Sequence, residues 1–253
     1  MRLAIIGKGA IAGYVTDAIL EQSDLSLDGR VLRQAQAHAI VDVADLPPVD
    51  LLIDCAGHAG LAQHGPKALA AGIDVLTLSL GALADAELSA QLEHAARSGG
   101  AQLHLASGAI GALDALRAGA VGGLSTVTYT GRKPPAGWRG SPAEDMVDLD
   151  TLTEAATHFT GTAREAALAY PKNANVAAAV ALAGAGFDDT RAELIADPAA
   201  TGNIHDIRAE GAFGTMAFRI TGKGLPDNPR SSALAAMSAV AAIRQAAAPI
   251  RFA

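Results

Sequence analysis

Over the first hundred residues, short apolar runs alternate with longer alanine-rich stretches whose apolar positions recur at helical spacing. Residues 2–7 read as a strand. Residues 10–21 read as a helix, because Ile11, Val15, Ala18 and Ile19 fall on one face. A second strand is predicted over 27–33. The run 50–55 is almost unbroken in its apolar character, the pattern of a strand covered on both faces. A helix follows over 61–71 and stops at Gly72, then a strand over 73–78, a helix over 84–98 and a strand over 102–105. Strand and helix in strict alternation call for a parallel sheet with helical crossovers.

Beyond Ser107 the pattern changes. Residues 124–131 are strand-like, and Arg132-Lys133-Pro134-Pro135 is expected to break that strand. Helices are predicted over 162–169 and 173–185. Residues 190–196, 204–210 and 215–221 alternate as strands do, and their close succession predicts antiparallel pairing. A long alanine-rich helix over 231–247 follows Pro226 and Pro229. The fold class is therefore α/β: a Rossmann-type parallel-sheet domain, then an α+β domain inserted before the last helix.

Composition narrows the function. Half of the 253 residues are apolar and only 4% are aromatic, so the core must be built from Ala, Leu, Val and Ile. The net charge of −7 argues against a nucleic-acid partner, which needs a basic face, but leaves room for a small anionic substrate met by a few local cations. One cysteine, Cys55, allows no internal disulfide and points to a reducing, cytoplasmic setting. The apolar stretch 1–10 runs into glycines and reads as a buried strand rather than a leader. No apolar run reaches membrane-spanning length without charges or glycines, and no metal is expected.

Gly7-Lys8-Gly9-Ala10-Ile11-Ala12 has the G-x-G-x-x-G/A form between a strand and a helix. Gly7 permits the tight turn, Gly9 lets the backbone approach a pyrophosphate, and Ala12 allows close helix–strand contact. The helix N-terminus, at Ala10 and Ile11, offers N–H groups to phosphates. The acidic residue usual at the end of the second strand is not evident. If that strand runs to Leu32, its end carries Arg33, which can meet the 2′-phosphate of NADP or remain a solvated loop residue. The cofactor is thus NAD or NADP. Cys55-Ala56-Gly57-His58 lies at a strand end where ligands gather, yet nothing marks Cys55 as activated, and an inert buried thiol is the commoner fate. In Tyr170-Pro171-Lys172-Asn173-Ala174-Asn175, Asn173 is expected to cap the following helix, which leaves Asn175 without a structural role. His205 sits between Ile204 and Ile207 in an alternating run; it faces either a cleft or a structural partner. Arg132, Lys133, Arg139 and Lys172 supply cations to the second domain.

Together these segments resemble the L-aspartate dehydrogenase family over nearly the whole chain. The residues that carry the resemblance are Gly7-Lys8-Gly9-Ala10-Ile11, Cys55-Ala56-Gly57-His58, Ser107-Gly108-Ala109-Ile110-Gly111-Ala112-Leu113-Asp114 and Tyr129-Thr130-Gly131-Arg132-Lys133-Pro134. To these are added Tyr170-Pro171-Lys172-Asn173-Ala174-Asn175-Val176-Ala177, Asn203-Ile204-His205 and Asn228-Pro229-Arg230-Ser231-Ser232-Ala233-Leu234. The resemblance implies hydride transfer from the aspartate Cα to NAD(P), giving iminoaspartate that feeds NAD biosynthesis or hydrolyses to oxaloacetate and ammonia. It implies that Ala109 and Asn175 contact the cofactor, that His205 is catalytic and that the protein is a homodimer. The final helix is expected to return to the first domain, so that residues 1–108 and 229–253 form the dinucleotide-binding domain and 109–228 the substrate-binding and dimerisation domain. Lys172, Arg132 and Lys133 are the candidates for the substrate carboxylates, with Lys172 ranked first. The stretch 33–48 looks short for a full crossover helix. Two other readings stand beside this one. A dihydrodipicolinate-reductase-like enzyme acting on another small dicarboxylate would call for a basic His-His-Arg-His-like cluster that is not seen. A non-catalytic dinucleotide-sensing module has no need of Asn175 and His205.

Overall fold

The structure is a computed structural model that describes residues 1–34 and 39–252, with all side chains among them except those of Pro229 and Arg230. The chain divides into two units, Met1–Gly108 with Ala235–Ala253, and Ala109–Leu234.

In the first unit, β1 (Arg2–Ile6), β2 (Ser26–Val31), β3 (Leu51–Asp54), β4 (Asp74–Thr77) and β5 (Leu103–Leu105) form one sheet in the order β2-β1-β3-β4-β5. Every pairing is parallel. The connections carry α1 (Ala10–Leu20), α2 (His58–Ala70) and α3 (Ala86–Gly99). Leu3–Ile6 and the whole of β3 are buried, as their unbroken apolar runs require when both faces of a sheet are covered. α3 starts at Ala86 because the Asp85 side chain accepts from the N–H groups of Glu87 and Leu88, and it ends on Gly100 in the left-handed region. Residues 35–38, within the stretch read as too short for a crossover helix, lie outside the described residues; the remainder holds a bridge from Val31 to Ile40 and a 3-10 turn over Val43–Asp45. The core joins Leu3, Ile5, Val15, Ile19 and Ile53 to Ala239, Val240 and Ile243 of the last helix. Each Leu, Ile or Val side chain among these contributes about 1.5–3 kcal/mol when fully buried. Strand order reverses between β1 and β3. The carboxyl ends of those two strands therefore make the crevice where open parallel sheets bind ligands.

The second unit begins with α4 (Leu113–Val121) and β6 (Leu124–Lys133), followed by α5 (Ala143–Met146), β7 (Ala156–Thr162), α6 (Ala163–Ala169) and α7 (Asn175–Ala183). Then come β8 (Thr190–Ala196), β9 (Asn203–Gly211), β10 (Gly214–Gly222) and the short pair β11 (Gly224–Leu225) and β12 (Asn228–Ser232); α8 (Ala233–Ala247), which follows, belongs to the first unit from Ala235 on. The sheet of the second unit runs β10-β9-β6-β8-β7. β6 and β8 are parallel, and the other neighbours are antiparallel.

Three expectations need correction here. β6 runs through Arg132 and Lys133 to end at the prolines, because both residues keep their ladder partners in β8. β8 and β9 follow each other in sequence but are not neighbours, since β6 lies between them. The domain boundary expected at 228/229 falls inside β12, which pairs with β11, so the returning segment begins at Ala235. β7 is a strand that the hydrophobic pattern does not announce. Among the described residues no helix is long and apolar enough to cross a membrane.

Candidate functional site

In the first unit the turn from β1 to α1 is shaped by two glycines with different demands. Gly7 has φ +105°, and a Cβ there would lie 3.1 Å from the Cys55 carbonyl oxygen, so backbone conformation and β3 both require glycine. Gly9, the N-cap of α1, makes no side-chain cap, and a Cβ on it would meet only open space. An uncapped helix N-terminus at Ala10 and Ile11, with space kept clear above Gly9, fits a dinucleotide pyrophosphate. Arg30 of β2 braces this turn: it donates to the Gly7 carbonyl at 3.0 Å and to Thr16 Oγ1 at 2.6 Å. Arg33 is the cation that the sequence offers for a 2′-phosphate. Arg33 is exposed, two residues beyond the end of β2.

At the ends of β3 and β4, buried Asp54 accepts from Thr77 Oγ1 at 2.8 Å, Ser79 Oγ at 2.6 Å and the Ala56 N–H at 3.0 Å. Burial, and then the Asp54 carboxylate, push the Cys55 thiol up to about 12, which leaves it inert as a nucleophile. Ala109 opens the second unit in a turn after Gly108 and is partly buried.

The second unit assembles a denser cluster. Side chains alternate along β6, so Val127, Tyr129, Gly131 and Lys133 share its buried face. His205 of β9 stands opposite Gly131 in the ladder and is 3% exposed. The Tyr129 hydroxyl lies 2.8 Å from His205 Nδ1, with the two rings stacked 6.0 Å apart. Burial, and secondly the charge of Lys133, lower His205 to about 4, while Asp206 pulls weakly the other way. The imidazole is therefore neutral near pH 7. Burial raises the Tyr129 hydroxyl, so it too stays neutral. Asp206 is ion-paired with Arg219 at 2.7 Å and does not orient His205.

Lys133 is also buried. Its Nζ donates to Asn173 Oδ1 at 2.7 Å and sits 4.8 Å from the centre of the Trp138 ring. Burial lowers it to about 8. His158 occupies a bulge of β7, between Thr157 and Phe159, edge-on to Trp138 at 4.4 Å. Its Nδ1 lies 3.2 Å from the Tyr170 hydroxyl, and burial followed by Lys133 lowers it to about 4.

Of the three cations proposed for substrate, the structure thus brings only Lys133 together with His205. Arg132 points to the opposite face, where it pairs with Asp197 at 2.7 Å. Lys172 is exposed. Asn173 does not cap α7, whose N-cap is Ala174; it holds Lys133 instead, and Asn175 is the first helical residue. Tyr129, His158, Asn173 and Arg30 were not foreseen in these roles. The one signal available was parity: Tyr129, Gly131 and Lys133 share a face if the strand is allowed to run to the prolines.

Residues 114–246 match the family described as aspartate dehydrogenase, C-terminal, and residues 7–106 match the homoserine dehydrogenase, NAD binding domain family. The chain is 59% identical over 261 residues to an L-aspartate dehydrogenase of Ruegeria pomeroyi, covering 99% of this chain and 94% of that one. It is 45% identical to an L-aspartate dehydrogenase of Cupriavidus taiwanensis, covering 96% of both. Among solved structures, aspartate dehydrogenase from Thermotoga maritima shares the fold with a TM-score of 0.76 at 24% identity, covering 100% of this chain and 99% of that one. An amine dehydrogenase from Mycobacterium smegmatis shares it at a TM-score of 0.58 and 14% identity, over 97% of this chain and 91% of its own.

Proposed function

Because this chain belongs to the L-aspartate dehydrogenase family, we propose that it oxidises L-aspartate to iminoaspartate, which then hydrolyses to oxaloacetate and ammonia or enters NAD biosynthesis. The observation that carries this reading is the buried pair of Tyr129 and neutral His205, set beside the cation of Lys133. Bound NAD or NADP supplies the hydride acceptor. Gly7, Gly9, Ala10 and Ile11 hold its pyrophosphate, Ala109 and Asn175 contact it, and Arg33 meets the 2′-phosphate of NADP.

Loss of hydride from Cα requires the amine lone pair, so the substrate ammonium must first release a proton. When His205 Nδ1–H donates to the Tyr129 oxygen, Nε2 presents a lone pair to accept that proton. A histidine this far below its ordinary value is a weak base. A substrate carboxylate offsets the Lys133 charge that helps to hold it down, so substrate binding itself strengthens the base. In the hydrolytic step the same nitrogen takes a proton from the water that attacks the imine carbon. Of the three candidate cations, Lys133 is the one placed beside His205 to meet a substrate carboxylate.

The test is the absorbance of reduced nicotinamide at alkaline pH with both cofactors and a panel of amino acids. Aspartate-dependent reduction is expected, and its absence under all conditions sinks the reading. On the same reading the protein is cytoplasmic and a homodimer, the latter checked by light scattering of the eluted protein.

A further inference from the structure

Lys133 and His158 share an unusual condition. Among the described residues no carboxylate lies within ion-pair distance of Lys133, although its side chain is only 8% exposed. Its three N–H donors have one acceptor, Asn173 Oδ1. His158 is 4% exposed, and its Nε2 is buried with no hydrogen-bond partner. When the Tyr170 hydroxyl donates to Nδ1, Nε2 carries the proton and is an orphan donor. A buried cation without a counter-ion and a buried donor without a partner are each costly, and each calls for an explanation, of which an incoming ligand is one. Both flank one ring: the ammonium lies over Trp138 and His158 meets it edge-on. The charge of Lys133 is felt at His158 and at His205 alike.

We propose that Lys133 Nζ and His158 Nε2 form a receptor for one carboxylate of a small dicarboxylate, with Asn173 and Tyr170 as its positioning residues. This rests on the aspartate reading above and adds His158 to the binding residues. The chemistry recognised is an oxyanion: one oxygen takes an N–H from the ammonium and the other takes the imidazole N–H. Lys172 and Arg132 are thereby relieved of this carboxylate. The first is exposed, and the second already holds Asp197.

The probe is succinate, a dicarboxylate without an amine, titrated calorimetrically into the intact chain saturated with oxidised dinucleotide, in parallel with aspartate kinetics. His158→Phe should weaken succinate about tenfold and Lys133→Met about a hundredfold. The aspartate KM should rise by similar factors, and by more than kcat falls. His158→Gln keeps an N–H donor and should recover most of the affinity, which a merely structural role for the ring would not give. Thermal melts report whether each variant is folded, and the Gln variant carries the comparison if Phe is not tolerated. Unchanged succinate affinity in folded Lys133→Met and His158 variants overturns the receptor, even if aspartate is turned over normally. Succinate binding that depends on both residues in a protein that does not oxidise aspartate upholds the receptor and removes the aspartate reading instead.

Discussion

Gly131 stands directly opposite His205 in the β6–β9 ladder, and a Cβ on Gly131 would lie 2.6 Å from the Tyr129 hydroxyl. The missing side chain is what lets that hydroxyl cross the ladder to reach the imidazole. Gly131→Ala must displace it, and Tyr129→Phe removes it. Both should lower kcat about tenfold, as the loss of one buried hydrogen bond suggests. His205→Ala sets the scale, with a loss of roughly 10²–10⁴ and retained cofactor binding. Steady-state kinetics with a separate dinucleotide titration decides this. Wild-type kcat in both the Gly131 and Tyr129 variants would show that Tyr129 does not orient the base.

His205 and His158 are both held near pH 4, against an ordinary histidine value of 6.5. Between those limits the unfolded chain binds protons that the folded chain refuses. The stability tied to these neutral histidines is complete above about pH 6.5 and falls as the pH drops toward 4. The urea midpoint should therefore decline across this window. His158→Gln should flatten the decline, because its side chain does not titrate. An identical slope in wild type and variant would mean that His158 is protonated as readily folded as unfolded.

The two glycines of the β1–α1 turn should fail in opposite ways. Gly9→Val places its side chain in open space, so the melting temperature should hold while dinucleotide affinity is lost. Gly7→Ala puts a Cβ against the Cys55 carbonyl at φ +105°, so the melting temperature itself should fall. Calorimetric melts and cofactor titrations of the two variants separate these effects. Retained affinity in Gly9→Val would remove the pyrophosphate from this turn.

Arg30 and Arg33 should divide the cofactor between shape and charge. Arg30 holds the Gly7 carbonyl, so Arg30→Ala should weaken NAD and NADP alike. Arg33 is exposed beyond β2 and has only its charge to offer, so Arg33→Ala should weaken NADP about tenfold more than NAD. Equal losses in the Arg33 variant, measured by fluorescence titration with each reduced cofactor, would make it a surface residue.

The parts legible in the sequence are those where local pattern and tertiary role coincide. β1 and β3 are apolar runs because both faces are covered, and the glycine turn follows β1 where a dinucleotide requires it. β7 was illegible because its bulge at His158 breaks the two-residue period on which strand reading depends. In the sequence Lys133 is one of three candidate cations for the substrate, and nothing beside the two prolines sets it apart from Arg132. Its burial comes from Trp138 and from Asn173, forty positions along the chain, and no local window contains that partner. Asn173 misled for the opposite reason, since its position before a helix is a sufficient local explanation that the fold does not use. Arg30 escaped notice because β2, with its exposed and half-buried positions, carries too little apolar signal to fix where it ends.

The first unit is discontinuous: Leu3 and Ile5 of β1 share a core with Ala239, Val240 and Ile243 of α8. On the ribosome, β1 emerges more than two hundred residues ahead of the helix that completes its core. The dinucleotide-binding sheet must therefore wait, with apolar surface uncovered, while the entire second unit is synthesised. The unit begun first is thus the one completed last. A premature stop just after Leu234 releases a chain whose second unit can close and whose first cannot. Such fragments should be the ones that chaperones hold and proteases clear.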